Sequence, residues 1–194
     1  MKSPYIGRQV KHFDKVQTES LVANFSECMK YRYTLDMEYS GDDRDKQMII
    51  ILKNPSSADE KMADKTIATA ESYIYKHFLD VKKLRILNIY SYRATYPRDV
   101  AELIKEGREE YVIGLENDAH IDESLKLTDY VLIAWGGSSG IKANSYKKRV
   151  ESILHRVKKS QKPTFRNPQK GSELYPFHAC YWGYESKPCR LEFS

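Results

Sequence analysis

The chain has 194 residues, 32 Lys+Arg against 27 Asp+Glu, and a formal net charge of +5. With 41% hydrophobic and 12% aromatic residues it can bury a core as a single domain, which excludes collagen-like, coiled-coil and disordered classes. Its longest apolar runs, Met48 to Leu52 and Tyr130 to Trp135, fall far short of the roughly 18 residues a membrane span needs, and the first ten residues lack the apolar stretch of a secretion signal, so a cytoplasmic protein without a membrane partner is expected.

Residues 1–30 show no firm period and read as an N-terminal extension with a short helix near Glu19 to Met29; residues 31–194 read as a single α/β domain. Tyr31, Tyr33, Leu35, Met37 and Tyr39 alternate with polar residues, the period of a strand with one buried face. A polar run from Ser40 to Lys46 turns the chain back, and Met48 to Leu52 is continuous and rich in isoleucine, as in a parallel strand covered on both faces. Asp64 or Thr66 caps a helix whose apolar positions Ile67, Ala70, Ile74 and Phe78 follow helical spacing. Leu84 to Ile89 is the next strand, Pro97 opens a short helix that Gly107 stops, and Asn117 to Leu127 forms another. Tyr130 to Trp135 is a third buried strand, ended by Gly136-Gly137-Ser138-Ser139-Gly140. A helix over 145–159 and a short strand at Pro163 to Phe165 follow. This alternation predicts a three-layer α/β/α sandwich with a mostly parallel central sheet.

In such sheets ligands bind beyond the carboxyl ends of the strands. The segments there are 53–59, 88–95 and 135–140, and with 175–182 they are expected to converge on one cleft. Asn54 and Asn88 each carry an amide that donates and accepts, able to hold a water or read a base edge, although asparagine also caps loops. Pro55 holds Asn54 extended. His178 can donate to a developing oxyanion or serve a structural role; His12, His77, His120 and His155 show no evident partner. Tyr90 and Trp135 are either stacking platforms for a base or core residues, and Arg93 either grips a phosphate or carboxylate or forms an ion pair.

Gly136 opens a glycine-serine turn resembling a phosphate cradle, but the Gly-Lys-Ser/Thr ending of a nucleotide-hydrolase loop is missing. Ser57 lacks the context of a serine-hydrolase nucleophile. Asp59 and Asp64 read as caps before they read as metal ligands, and Cys28, Cys180 and Cys189 as thiols, so neither metal nor cofactor is expected. Basic residues gather from Lys142 to Lys170; Lys147, Lys148 and Arg149 are candidates for nucleic-acid backbone contact, with a solvated helix face as the plainer reading.

Leu52 through Asp59, Asp64 through Ile67, Asn88 through Thr95, Gly114 through Asp118, Ala134-Trp135-Gly136 and Pro176-Phe177-His178 together resemble the family called domain of unknown function 1643 (DUF1643), over about residues 31–185. Lys65 and Ala179 stand where that family has proline. The family is in turn remotely similar to the uracil-DNA glycosylase superfamily. That similarity implies a uracil-DNA glycosylase-like fold in which Asn54 before Pro55 positions a water, Asn88 reads the base edge and His178 stabilises charge on the departing base. Pro55, Ser56, Tyr90, Arg93, Thr95, Trp135 and Gly136 would complete the base or nucleotide site. The superfamily's His-Pro-Ser-Pro run is absent around His178, and no apolar wedge replaces a flipped base. The function implied is recognition of a nucleobase in DNA or in a free nucleotide with hydrolysis of its N-glycosidic bond. The alternative is a non-catalytic protein that sequesters a nucleotide or nucleic acid in the same cleft. In both, the partner is a nucleotide or nucleic acid, DNA foremost.

Overall fold

The structure is a computed structural model and describes residues 9–41, 43–94, 96–183 and 185–193. Short strands β1 (Gln9–Val10) and β5 (Ala63–Asp64) pair antiparallel. The main sheet holds β2 (Val22–Phe25), β3 (Arg32–Glu38), β4 (Lys46–Leu52), β6 (Val81–Asn88), β7 (Tyr130–Ile133), β8 (Thr164–Arg166) and β9 (Cys189–Arg190), in the order β2-β3-β6-β4-β7-β8-β9. From β6 through β4 and β7 to β8 neighbours run parallel, whereas β2 with β3, β3 with β6, and β8 with β9 run antiparallel.

The sheet is therefore mixed, not mostly parallel. The reason is connection length: the link from β2 to β3 is too short for the crossover that parallel neighbours require. Residues 22–25, expected in a helix, form edge strand β2 with alternating exposure. Val16 and Leu21 join the core, so the described part of the first thirty residues packs with the sheet.

Among the described residues five α-helices complete the mixed α/β fold: α1 (Lys65–His77), α2 (Pro97–Lys105), α3 (Glu109–Ile113), α4 (Asn117–Leu127) and α5 (Ala143–Ser160). The uninterrupted apolar run of β4 supplies both faces of the sheet. Met48, Ile50 and Leu52 pack with Ile67, Ala70 and Ile74 of α1, while Ile49 and Ile51 pack with α2, α4 and α5 through Val100, Ile121 and Val150. Adjacent strands β4 and β7 thus send their following helices, α1 and α5, to opposite faces. That divergence opens a crevice at their carboxyl ends, the place where ligands bind in open α/β sheets. Register aligns Leu52 with Asn88 and Ile51 with Ile133, so the segments beginning at Lys53, Ile89 and Ala134 leave the sheet at one level. No helix among the described residues is long and apolar enough to cross a membrane.

One buried ion pair fastens the N-terminal segment. His12 Nδ1 lies 2.6 Å from the Glu71 carboxylate and Nε2 lies 2.9 Å from the Asp59 carbonyl. Both partners can only accept, so both ring nitrogens carry protons and His12 is an imidazolium. Glu71 is wholly buried on α1 and also accepts from the Phe13 amide at 2.8 Å. His12, without a partner in the sequence reading, is thus paired across 59 residues. Burial works against its charge, but the hydrogen bond and charge of Glu71 raise its pKa above 6.5. A raised folded value contributes stability that is complete below 6.5 and is lost as pH rises through it. Urea unfolding of the H12A variant at pH 6 is expected to show a loss of about 3–5 kcal/mol, because Glu71 is left uncompensated. The gap to the parent should narrow as pH rises.

Candidate functional site

A cleft of about 250 Å³ lies at the crevice. It lies just below the roughly 300–1,000 Å³ of pockets for drug-sized ligands, so it suits a small polar ligand. Asn54, Pro55 and Ser56, after β4, form one wall; Asp64, Lys65 and Thr66, at the start of α1, form another; Arg32, Ala94 and His178 close it.

Asn54 is held by its own amide. Nδ2 donates to the Ala94 carbonyl at 2.9 Å and to the Pro55 carbonyl at 3.2 Å, which leaves Oδ1 as the acceptor this residue offers a ligand or water. The Ala94 amide donates back to the Pro55 carbonyl at 2.9 Å, stitching the two post-strand segments together. Ser56 donates its hydroxyl to one oxygen of Asp64, whose other oxygen caps α1 by accepting from the Ile67 amide at 3.0 Å. Asp59 likewise accepts from the Lys61 and Met62 amides at 2.9 Å, so both carboxylates act as caps.

His178 has a defined tautomer. The Cys180 amide donates to Nδ1 at 3.3 Å; an amide N–H cannot accept, so Nδ1 carries the lone pair and the proton of the neutral ring resides on Nε2. Burial, with the nearby Lys53 charge adding to it and Asp64 opposing, pushes its pKa down to about 4. At pH 7 it is a neutral Nε2–H donor. Its ring packs on Gly136, whose φ is +73°, and a Cβ at that position would lie 2.9 Å from the His178 Cβ.

Lys53, the residue before Asn54, is 3% exposed. Its ammonium donates to the Gly137 carbonyl and, at 2.6 Å, to Ser139 Oγ, and it lies 5.4 Å from the centre of the Tyr146 ring. Tyr146 in turn donates its hydroxyl to the Gly136 carbonyl at 2.8 Å. Burial pushes the Lys53 pKa down to about 8, which leaves it mostly charged at pH 7.

The other expected site residues separate. Asn88 is buried behind the wall: Oδ1 accepts from Arg32 at 3.4 Å, and Nδ2 has no hydrogen-bond partner among the described residues. Arg32 stands in front of it on the cleft wall. Tyr90 and Trp135 are fully buried in the core, and Trp135 Nε1 donates to the Leu174 carbonyl at 3.0 Å, so neither offers a ring face to a base. Arg93 lies with its guanidinium 4.6 Å from the Phe25 ring centre and donates to the Met29 carbonyl at 3.1 Å, holding the turn before β3. Thr95 lies outside the described residues.

Lys147 and Lys148 are exposed on α5, but Arg149 is not part of a basic surface. It is 4% exposed, pairs with Asp118 at 2.6 Å and donates to the Ile89 carbonyl at 2.7 Å. Helical phase explains this, since position 149 shares the inward face with Tyr146, Val150 and Ile153. Sequence reasoning passed over Arg32 and Lys53, because one reads as the polar half of an alternating strand and the other as a loop lysine; only burial sets them apart.

These features define a mixed α/β protein with a small polar cleft at the switch point of its parallel strands. Residues 32–178 match the family described as protein of unknown function (DUF1643), and the chain belongs to that family. No curated protein and no solved structure matches it. The matched span runs from Arg32 to His178, both of which line the cleft.

Replacing Lys53 by Met removes a cation that disfavours the protonated ring of His178. The His178 pKa, followed through its ring resonances by NMR, is expected to rise from about 4 toward 6.5 while staying below it, since burial persists. An unchanged titration would show that the two groups are not coupled.

Proposed function

We propose that the cleft takes one nucleobase, carried by a free nucleotide or an exposed strand of DNA, and hydrolyses its N-glycosidic bond, as the remote similarity to the uracil-DNA glycosylase superfamily implies. The observation that carries this reading is that a fixed acceptor, Asn54 Oδ1, and a fixed neutral donor, His178 Nε2–H, belong to one small cleft.

In the reaction the C–N bond breaks first and its electron pair leaves with the base, giving an oxocarbenium-like sugar and a base anion. Nε2–H of His178 donates to the oxygen on which that anion's charge gathers. Asn54 Oδ1 accepts from a water whose oxygen bonds to the anomeric carbon; the water's second proton ends on the departing base nitrogen. No outside oxidant or co-reactant enters this balance. Asn88, behind the wall, orients Arg32 in place of reading the base edge directly.

The test is release of free base from a panel of normal and deaminated bases, offered as nucleotides and in single-stranded DNA. The His178→Ala variant is expected to lose about 10²–10³-fold in rate, and Asn54→Ala to abolish release while ligand still binds. No release across the panel would overturn the hydrolytic reading.

One observation favours the second reading, a cleft that binds without turnover. Asp64 is the carboxylate on the wall, and each of its oxygens already accepts a hydrogen bond, from Ser56 and Ile67, which weakens it as a base toward water. In that case the ligand is recovered unchanged. If the partner is DNA, K147E with K148E should weaken binding and flatten its salt dependence by up to two counterions.

A further inference from the structure

Two buried cations stand at the cleft, and among the described residues neither is hydrogen-bonded to a carboxylate. Arg32 is 1% exposed and Lys53 is 3% exposed. Among the described residues, the hydrogen bonds of their charged groups go to neutral oxygens alone: Ala58 carbonyl at 2.8 Å and Asn88 Oδ1 for Arg32, Gly137 carbonyl and Ser139 Oγ for Lys53. Asp64 and Asp59 act on Arg32 only through space. A buried charge costs several kcal/mol unless a counter-charge offsets it, and Arg32, although pushed down to about 10 by burial, remains charged at neutral pH.

A second, independent observation points the same way. Arg32 Nε and Asn88 Nδ2 are buried N–H donors with no partner among the described residues, and a buried donor left unsatisfied is destabilising. The unpartnered Nε belongs to a residue of the cleft wall, whose two other guanidinium nitrogens are hydrogen-bonded. The same cleft is lined by the first turn of α1, through Lys65 and Thr66. A 13-residue helix presents partial positive charge at this end. The Asp64 carboxylate at the same end accepts from Ser56 and Ile67 and keeps its negative charge, which acts on Arg32 and His178 through space.

We propose that the ligand of this cleft is an anion whose phosphate group sits at the start of α1, between Arg32, Lys65 and Thr66. This rests on the nucleotide reading and specifies it: the ligand is a nucleoside phosphate, not a free base or a nucleoside. Arg32 supplies the fixed charge, Thr66 a hydroxyl donor and Lys65 a mobile ammonium at the mouth. Lys53, one layer below, adds to the potential without touching the ligand.

The test measures binding to the full chain by calorimetry with three probes: inorganic phosphate, a nucleoside, and the matching nucleoside 5′-monophosphate. The monophosphate is expected to bind at least tenfold more tightly than the nucleoside, and inorganic phosphate to compete with it. Lys65→Glu and Thr66→Ala, at exposed and half-buried positions that leave the core intact, should each erase the monophosphate's advantage. K126E with K159E, on the basic groove between α4 and α5, should keep it.

If the nucleoside binds as well as the monophosphate and phosphate does not compete, the anion seat is wrong and the base reading survives. If phosphate binds and competes but the nucleoside adds nothing, the seat stands and the base reading falls. Phosphate binding that persists in Lys65→Glu and disappears in K126E with K159E would place the anion on the outer groove and overturn the proposal.

Discussion

The site depends on one buried ammonium. β4 and β7 are hydrogen-bonded neighbours until Ile51 and Ile133, and then their chains diverge toward opposite faces of the sheet. Lys53 spans the gap that opens, reaching from the end of β4 to Gly137 and Ser139 in the turn after β7. That turn is not relaxed backbone: Gly136 has φ +73° and Ser139, without glycine's freedom, has φ +50°. A cation donating to it from below, and the Tyr146 hydroxyl donating to Gly136, hold it in place. The consequence reaches His178, whose ring rests against Gly136 where a side chain would not fit.

A second set of contacts fixes the segment after β6. Asn117, fully buried at the start of α4, donates Nδ2 to the Asn88 and Ile89 carbonyls at 3.0 and 3.3 Å. Arg149 donates to the same Ile89 carbonyl from α5 and pairs with Asp118, which also pairs with Arg156 at 2.8 Å. Strand end, α4 and α5 are thus joined by hydrogen bonds in which charges are paired. The contrast with the cleft is informative: Arg149 hydrogen-bonds a carboxylate, while among the described residues Arg32 and Lys53 hydrogen-bond only neutral oxygens, and Asp64 and Asp59 reach Arg32 only through space. Burial alone does not distinguish these three cations; a carboxylate in direct hydrogen-bond contact does.

The parallel core was readable because its cues are local. The run from Met48 to Leu52, the Asp64 cap and the segment from Asn117 to Leu127 each carry their structure within a dozen residues, and the observed elements fall there. The mixed character of the sheet was not readable, because β3 pairs with β6 across some 50 residues and nothing in its alternation names a partner or a direction. Alternation also hid Arg32: in a strand covered on both faces the polar half is buried too, as the burial of Arg32 and Thr34 beside Tyr33 and Leu35 shows. Arg149 was misread for a related reason, since a run of basic residues was counted by type without regard to helical phase. Asn54 and His178 were legible through the proline beside one and the family resemblance of both, but the tautomer of His178 depends on the Cys180 amide and is a fact of conformation alone.

A neutral histidine beside two cations is a particular chemical choice. An imidazolium would stabilise an anion more strongly by charge, but a third positive group in surroundings this dry would shed its proton, which is the direction in which burial and Lys53 both drive it. The division of labour that results separates the two components of anion stabilisation. On the proposed reading, directionality comes from a hydrogen bond whose proton position is set by a backbone amide, and charge comes from Arg32 on the cleft wall and Lys53 below it. If the proposed reading holds, such a site would lower the energy of negative charge along the cleft, whether carried in by a ligand or developed on a departing group.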